Sequence, residues 1–265
     1  MKCFSIDLDG TLLNSEHEIT EENQAVLQQL KSDGHHIIIN TGRAFEDVIK
    51  FDTIRTLELP IFSINGTVLY SNSSDVLYEA SLPISIYQEL LPILKEIGLW
   101  VMVYTNQGGF PCRNPEIQDK ADDEIEPIFK GYDYKQILEK ENIKIYKVMG
   151  VARRDQLEKI DQAKQALQGK FDFSMASSHP YNVEFTSIEA NKGTALERYQ
   201  QITNLQFDEI FAFGDGGNDL AQFKVATTSI AMSNAPFTIQ QEVDVVTKTN
   251  DENGFAYAVK HLLNF

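Results

Sequence analysis

The chain is poor in cysteine, poor in positive charge and free of long apolar runs. Only Cys3 and Cys112 occur in 265 residues, far apart and outside any CxxC or CxxH cluster. That excludes a disulfide scaffold and a thiolate zinc site. No stretch approaches the roughly 18 uninterrupted apolar residues of a membrane helix. Met1-Lys2 leads into a short apolar segment and then acidic residues, without the cleavage pattern of a secretion signal. These absences point to a reducing compartment, by default the cytoplasm. Lys and Arg number 23 against 39 Asp and Glu, a formal charge of −16, so the average field repels a nucleic-acid backbone. A small anionic substrate is still admissible, because a divalent cation, a lysine and backbone N–H groups can reverse the potential inside one cleft. The five histidines show no HxxxH or HExxH spacing, so no histidine metal site is expected.

What is present is enough apolar material for a packed core, 42% of residues, over a length that accommodates two domains. Lys2–Leu8 reads as a buried strand stopped by Asp9-Gly10, followed by a helix from Thr20 to Lys31 and a β-branched strand His36–Asn40 stopped by Thr41-Gly42. Strand, helix and strand within forty residues predict a parallel sheet. A helix is expected near Phe45–Ile54, then a hairpin about Asn65-Gly66. From Pro83 the pattern restarts: a helix to Ile97, a strand Leu99–Tyr104, a loop with one helical turn over Gln107–Glu126, then Ile143–Val151, Asp155–Leu167, Phe171–Ser177 and Asn182–Phe185. The tail returns to α/β alternation. The simplest organisation is a discontinuous α/β core, residues 1–82 plus 185–265, interrupted by an α+β block at 83–184.

Two acidic clusters sit where strands run into loops. Asp7-Leu8-Asp9-Gly10-Thr11-Leu12 follows the first strand, and Gly214-Asp215-Gly216-Gly217-Asn218-Asp219 follows the apolar run Ile210–Phe213. Ligands of open α/β sheets bind at the carboxyl ends of strands. Carboxylates gathered there need a cation or a shared proton, and Mg2+ suits hard oxygen ligands. Asn40-Thr41-Gly42-Arg43 and Asn191-Lys192-Gly193-Thr194 add a hydroxyl, N–H groups and an ammonium, the donors that a phosphate dianion requires. Taken singly, a DxD is often a solvated turn and a lysine is usually on the surface. Arg43 stands between a substrate contact and an ion pair with a nearby carboxylate. The run Asp122-Asp123-Glu124 reads as a solvated face. Tyr104, Asn106 and Arg113 are weaker candidates for substrate contact.

The ordered set DLDGTL, NTGR, NKGTAL and GDGGNDL, spanning the chain, resembles the haloacid dehalogenase superfamily of hydrolases in its Cof-type branch. The resemblance implies a Rossmann-like core with an inserted α+β cap, and Mg2+-dependent hydrolysis of small phosphate esters through an aspartyl phosphate. It implies Asp7 as nucleophile, Asp9 as general acid and base, and Thr41 and Lys192 as phosphate holders. Gly42, Arg43 and Asn218 would lie against the substrate, with Asp7, Asp9, Asp215 and Asp219 around the metal. After the fourth motif the superfamily often continues with Met-Leu, whereas this chain reads Gln222-Phe223, a departure expected to affect helix packing more than chemistry. Two other outcomes share the phosphorylated aspartate: a sugar phosphomutase, and a signalling module that accepts phosphate and loses it slowly. The natural substrate and the oligomeric state are not readable from the sequence.

Overall fold

The computed structural model describes residues 1–112, 120–177, 179–263 and 265. The chain divides into two units, residues 1–79 with 190–265 and residues 80–189.

The first unit contains β1 (Lys2–Ile6), α1 (Glu21–Ser32), β2 (His36–Asn40), α2 (Phe45–Val48), α3 (Asp52–Thr56), β3 (Ile61–Ser63), β4 (Val68–Tyr70) and β5 (Val76–Glu79). The second unit contributes α4 (Ile84–Ile97), β6 (Trp100–Thr105), β7 (Gly108–Phe110), α5 (Asp122–Phe129), α6 (Lys135–Leu138), β8 (Ile145–Val151), α7 (Glu158–Leu167), β9 (Phe173–Ala176) and β10 (Asn182–Ser187). The chain then returns to the first unit with α8 (Lys192–Thr203), β11 (Glu209–Gly214), α9 (Leu220–Val225), β12 (Thr228–Ala231), α10 (Phe237–Gln240), β13 (Val245–Val246) and α11 (Gly254–Tyr257).

Among the described residues the first unit's sheet runs β13-β12-β11-β1-β2-β3-β4-β5. Pairing is parallel from β13 to β3 and antiparallel at β4 and β5. From β1 the chain proceeds outward to β2 and β3; from β11 it proceeds the other way, to β12 and β13. The loops after β1 and β11 therefore diverge to opposite faces, and a crevice opens at the strands' carboxyl ends. Both faces of β1, β2 and β11 are buried, as their near-continuous apolar runs require. Phe4, Ile6, Ile37, Ile39 and Phe213 pack against Val26, Leu27 and Leu30 of α1, whereas Cys3, Ile38 and Phe62 pack against Ala195, Leu196 and Tyr199 of α8. Each such large side chain contributes about 1.5–3 kcal/mol when fully buried.

Local sequence explains the ends of several elements. Thr20 caps α1 by accepting from Asn23 N–H, Gly98 ends α4, and Asn191 caps α8 by accepting from Gly193 and Thr194 N–H at 2.9 Å each. Between β3 and β4 the hairpin turns through Ile64, Asn65 and Gly66, all with positive φ. A β-carbon on Gly66 would press on the Asn191 carbonyl and the Ala195 side chain, so this turn also seats the start of α8.

The second unit is a sheet of order β7-β6-β8-β10-β9, with antiparallel pairing, whose core comprises Leu90, Leu94, Val101, Val148, Ile160, Val183 and Phe185. Its edges differ from the expected 83–184. A boundary at 184/185 would cut β10, which pairs with β8 and β9 through Thr186 and Ser187, and the unit runs to Glu189. Three further differences are local. The helix expected near Phe45–Ile54 is two short helices interrupted before Asp52. Gln107–Glu126 contains β7 and the start of α5 rather than a loop alone. Asp122, expected to be solvated, is partly buried and accepts from the Arg154 backbone N–H and guanidinium at 3.0 and 2.9 Å, while Asp123 and Glu124 are exposed. Asn106 binds loop backbone, donating to the Asn142 carbonyl and accepting from Lys144 N–H. Arg113 lies outside the described residues.

Candidate active site

Three of the four motif segments follow strands of the first sheet at their carboxyl ends, after β1, β2 and β11, and the remaining one opens α8. Asp7 follows β1 directly and its N–H donates to the Phe213 carbonyl on β11, which aligns the two acidic loops. Asp7, Asp215 and Asp219 each present a carboxylate oxygen, and the three oxygens lie within 4.8 Å of one another. Among them stands Lys192, the second charged centre of the site and fully buried. Its Nζ lies 2.6 Å from Asp7 Oδ1 and 2.7 Å from Asp219 Oδ1. Helix α8 projects this lysine inward from its first position, directly after the Asn191 cap.

The charges do not balance. Three carboxylates and one ammonium give a formal −3 + 1 = −2 in a buried space. Burial pushes Asp7 well above the usual carboxylate range, against the pull of Lys192, with Asp219, Asp215 and Asp9 pushing the same way. Asp215 is pushed up to about 7, first by burial and then by the charge of Asp219. Burial alone would lower the Lys192 pKa, but the charges of Asp219 and Asp7 more than offset it, so the ammonium stays charged. An excess of two negative charges among hard oxygens fits a divalent cation.

Asp219 is placed differently from its neighbours. Its Oδ1 accepts from Lys192 and from Gln222 Nε2 (2.8 Å), and its Oδ2 accepts from the N–H groups of Asp215 (3.0 Å) and Gly216 (2.9 Å). Both oxygens are thus engaged by chain donors. Asp9 turns toward Arg43, whose Nε and Nη2 meet its two carboxylate oxygens at 2.8 and 2.5 Å, a bidentate pair. Of the two possibilities for Arg43, the ion pair is the one the geometry contains.

Thr41 is fully buried, with its N–H on the Phe62 carbonyl and its hydroxyl accepting from Arg43 N–H at 3.2 Å. Gly42 faces Asn65, and Asn218 Nδ2 donates to Asn65 Oδ1 at 3.1 Å, so the fourth motif is laced to the hairpin. Gly10 has φ +71°, and a β-carbon there would overlap the Asp215 carboxylate. The first acidic loop can approach the second this closely only with glycine at that position.

Two contributors escaped the sequence reading. Asn234 donates to the Gly10 carbonyl at 2.8 Å and lies 3.4 Å from Asp215 Oδ2, clasping the two loops. Its signal was positional, since it follows the carboxyl end of a parallel strand, β12, as Asp7, Thr41 and Asp215 follow theirs. Gln222, expected to affect packing, is fully buried and bonded to Asp219. A lone amide one helical turn after a motif aspartate was the available clue.

Comparison with known proteins matches residues 4–259 to the haloacid dehalogenase-like hydrolases. Phosphatase YwpJ of Bacillus subtilis is 31% identical over 99% of this chain and 100% of its own length. The 5-amino-6-(5-phospho-D-ribitylamino)uracil phosphatase YwtE of Bacillus subtilis is 30% identical over 100% of this chain and 99% of its own. A solved haloacid dehalogenase-like hydrolase from Bacillus subtilis superposes with a TM-score of 0.87 at 28% identity, covering 99% of this chain and all of that one. No described helix is long and apolar enough to cross a membrane. The chain belongs to the haloacid dehalogenase-like hydrolases, and its enzymatic class within them is that of a phosphatase.

Proposed function

We propose that the chain hydrolyses monoesters of small phosphorylated metabolites, with Asp7 transiently carrying the phosphoryl group. The observation that carries this reading is Lys192 Nζ at 2.6 Å from Asp7 Oδ1, with Asp215 alongside, at the crevice between β1 and β11. One Asp7 oxygen is held by the ammonium and the other is left to attack phosphorus in line with the leaving oxygen. Lys192 and the Thr41 hydroxyl neutralise and orient the phosphoryl oxygens. Asp9 protonates the departing alkoxide and, once ionised, removes a proton from the water that cleaves the acyl phosphate. The Arg43 fork favours the ionised Asp9 needed in the second half of this cycle.

The carboxylates fit Mg2+, with Asp7 and Asp215 as side-chain ligands and Asp9 as a further ligand through its backbone. Bound there, the ion supplies positive charge against the phosphoryl oxygens. Since its oxygens are already engaged, Asp219 acts by holding Lys192 and the Asp215–Gly216 backbone rather than as a direct ligand.

We assign substrate selection to residues 80–189, acting as the cap. Sugar phosphates are the first substrates to test, with phosphorylated nucleotides and cofactors such as flavin mononucleotide and pyridoxal phosphate behind them. The phosphorylated ribitylamino-uracil named for YwtE belongs in the same panel. The test is phosphate release across that panel with and without Mg2+, together with acid-quench trapping of the phosphoenzyme. Turnover that requires Mg2+ and disappears in Asp7→Asn is expected. Trapped acyl phosphate without release of inorganic phosphate favours a phosphate-accepting switch, and an isomerised sugar phosphate favours a mutase.

A further inference from the structure

Beneath the catalytic groups the strands turn from apolar to polar. On the face covered by α8, β1 carries Cys3 and then Ser5, and β2 carries Ile38 and then Asn40. Ser5, Asn40 and Gln222 of α9 are all fully buried. An unpaired hydroxyl or amide costs about 1–3 kcal/mol at such a depth. These three meet most of that demand on one another; of their side-chain polar atoms, Asn40 Oδ1 has no hydrogen-bond partner among the described residues. Ser5 Oγ donates to Gln222 Oε1 at 2.7 Å, and Asn40 Nδ2 lies 3.2 Å from both Ser5 Oγ and Gln222 Oε1. Gln222 Nε2 donates to the Phe213 carbonyl at 3.1 Å and to Asp219 Oδ1 at 2.8 Å. Both hydrogens and both acceptor directions of this amide are engaged, so its orientation is determined. Asn40 Nδ2 also reaches the Lys192 carbonyl at 2.9 Å.

This cluster touches every segment that supplies a catalytic group: β1 before Asp7, β2 before Thr41, the first turn of α8, and the loop after β11. A methionine would fill nearly the same volume as Gln222 with no polar group to satisfy, so packing alone does not call for an amide here. What the amide adds is a donor fixed on Asp219 Oδ1, the oxygen that also holds Lys192.

We propose that Gln222, braced by Ser5 and Asn40, is a positioning residue for phosphoryl transfer. It holds the Asp219 carboxylate in the orientation that keeps the Lys192 ammonium on Asp7. The proposal rests on the phosphatase reading above. Lys192 meets the phosphoryl oxygens most strongly as charge builds on them, so its misplacement lowers kcat and leaves substrate affinity nearly unchanged.

The test is steady-state kinetics with Mg2+ on the best substrate for wild type, Gln222→Met, Ser5→Ala and the double variant. Expected are a kcat loss of about tenfold in Gln222→Met and about threefold in Ser5→Ala, with KM within about twofold. The double variant should be no slower than Gln222→Met alone, because Ser5 acts through the amide. A kcat within about twofold of wild type in Gln222→Met, a loss confined to KM, or losses that multiply in the double variant would each overturn the proposal. Should Gln222→Met not fold, Ser5→Ala decides alone, since it removes a single oxygen atom. Nitrogen-15 spectra of the lysine ammonium groups give a second readout: a slowly exchanging Lys192 signal in wild type that broadens in Ser5→Ala. An unchanged signal counts against positioning. Absence of turnover in wild type would sink the phosphatase reading instead, and the ammonium signal would then decide the positioning role by itself.

Discussion

Replacing Lys192 by methionine gives the most direct reading of the site's charge balance. The side chain is fully buried, and its two ion pairs at 2.6 and 2.7 Å are the nearest cationic partners of Asp7 and Asp219. Removing the ammonium changes the formal charge of the cluster from −2 to −3. Breaking a buried pair by deleting one partner typically costs about 3–5 kcal/mol, roughly 6–15 °C in melting temperature for a chain of this size. The sign of the pH dependence follows. Carboxylates without a partner have folded pKa values above their unfolded ones, so the folded variant binds the extra protons and its deficit shrinks as pH falls from 7 toward 5. Mg2+ should narrow the deficit as well. The assay is thermal melting of metal-free wild type, Lys192→Met, Asp219→Asn and the double variant at pH 5 and pH 7, with and without Mg2+. A coupling of at least about 1.5 kcal/mol between the two positions is expected. A neutral or stabilising Lys192→Met at pH 7 without metal, or additive effects in the cycle, would refute the picture of an undercompensated acidic cluster.

Gly10→Ala combines a left-handed backbone with overlap on Asp215; a cost of about 1–3 kcal/mol and at least a tenfold higher Mg2+ requirement are expected, and an unchanged Mg2+ titration would contradict the close approach of the two loops. His36, against Tyr199 and Phe207, has its pKa lowered to about 4, first by burial and then by Lys31. For this group the unfolded chain binds the extra proton between about pH 6.5 and pH 4, so His36 contributes at most about 2 kcal/mol less stability at pH 5 than at pH 7 after solvent screening, against the opposite contributions of Asp7 and Asp215. His36→Gln, followed by chemical denaturation, should lose that part of the slope. Arg43→Gln should slow hydrolysis of the phosphoenzyme more than its formation, giving a burst of alcohol release in rapid-quench experiments; equal slowing of both steps would argue against support for ionised Asp9.

The strands that build the site were legible because parallel strands buried on both faces must be nearly continuous apolar runs. Ile37-Ile38-Ile39 and Ile210-Phe211-Ala212-Phe213 have no other economical reading. Their ends were legible because Asp-Gly, Thr-Gly and Gly-Asp-Gly cannot continue such a run. The cap Thr20 and the stop at Gly98 act within four residues of the helices they bound, so local sequence carried them too. The short strands β5 and β7 and the helices α6 and α10 were missed, having three or four residues and too little periodicity to stand out.

The residues alone therefore determined the parallel sheet and offered the candidate groups for phosphate chemistry. Only the tertiary structure decided how those groups are partnered: Asp9 with Arg43, Asn218 with Asn65, Asp219 with Lys192 and Gln222, and Gly10 with Asn234. The reason is physical. Strand and cap preferences are set by neighbours within a few residues, whereas a carboxylate's partner is set by which donors reach the same desolvated space. Strand ends and a helix start far apart in the chain meet there only after the sheet has formed.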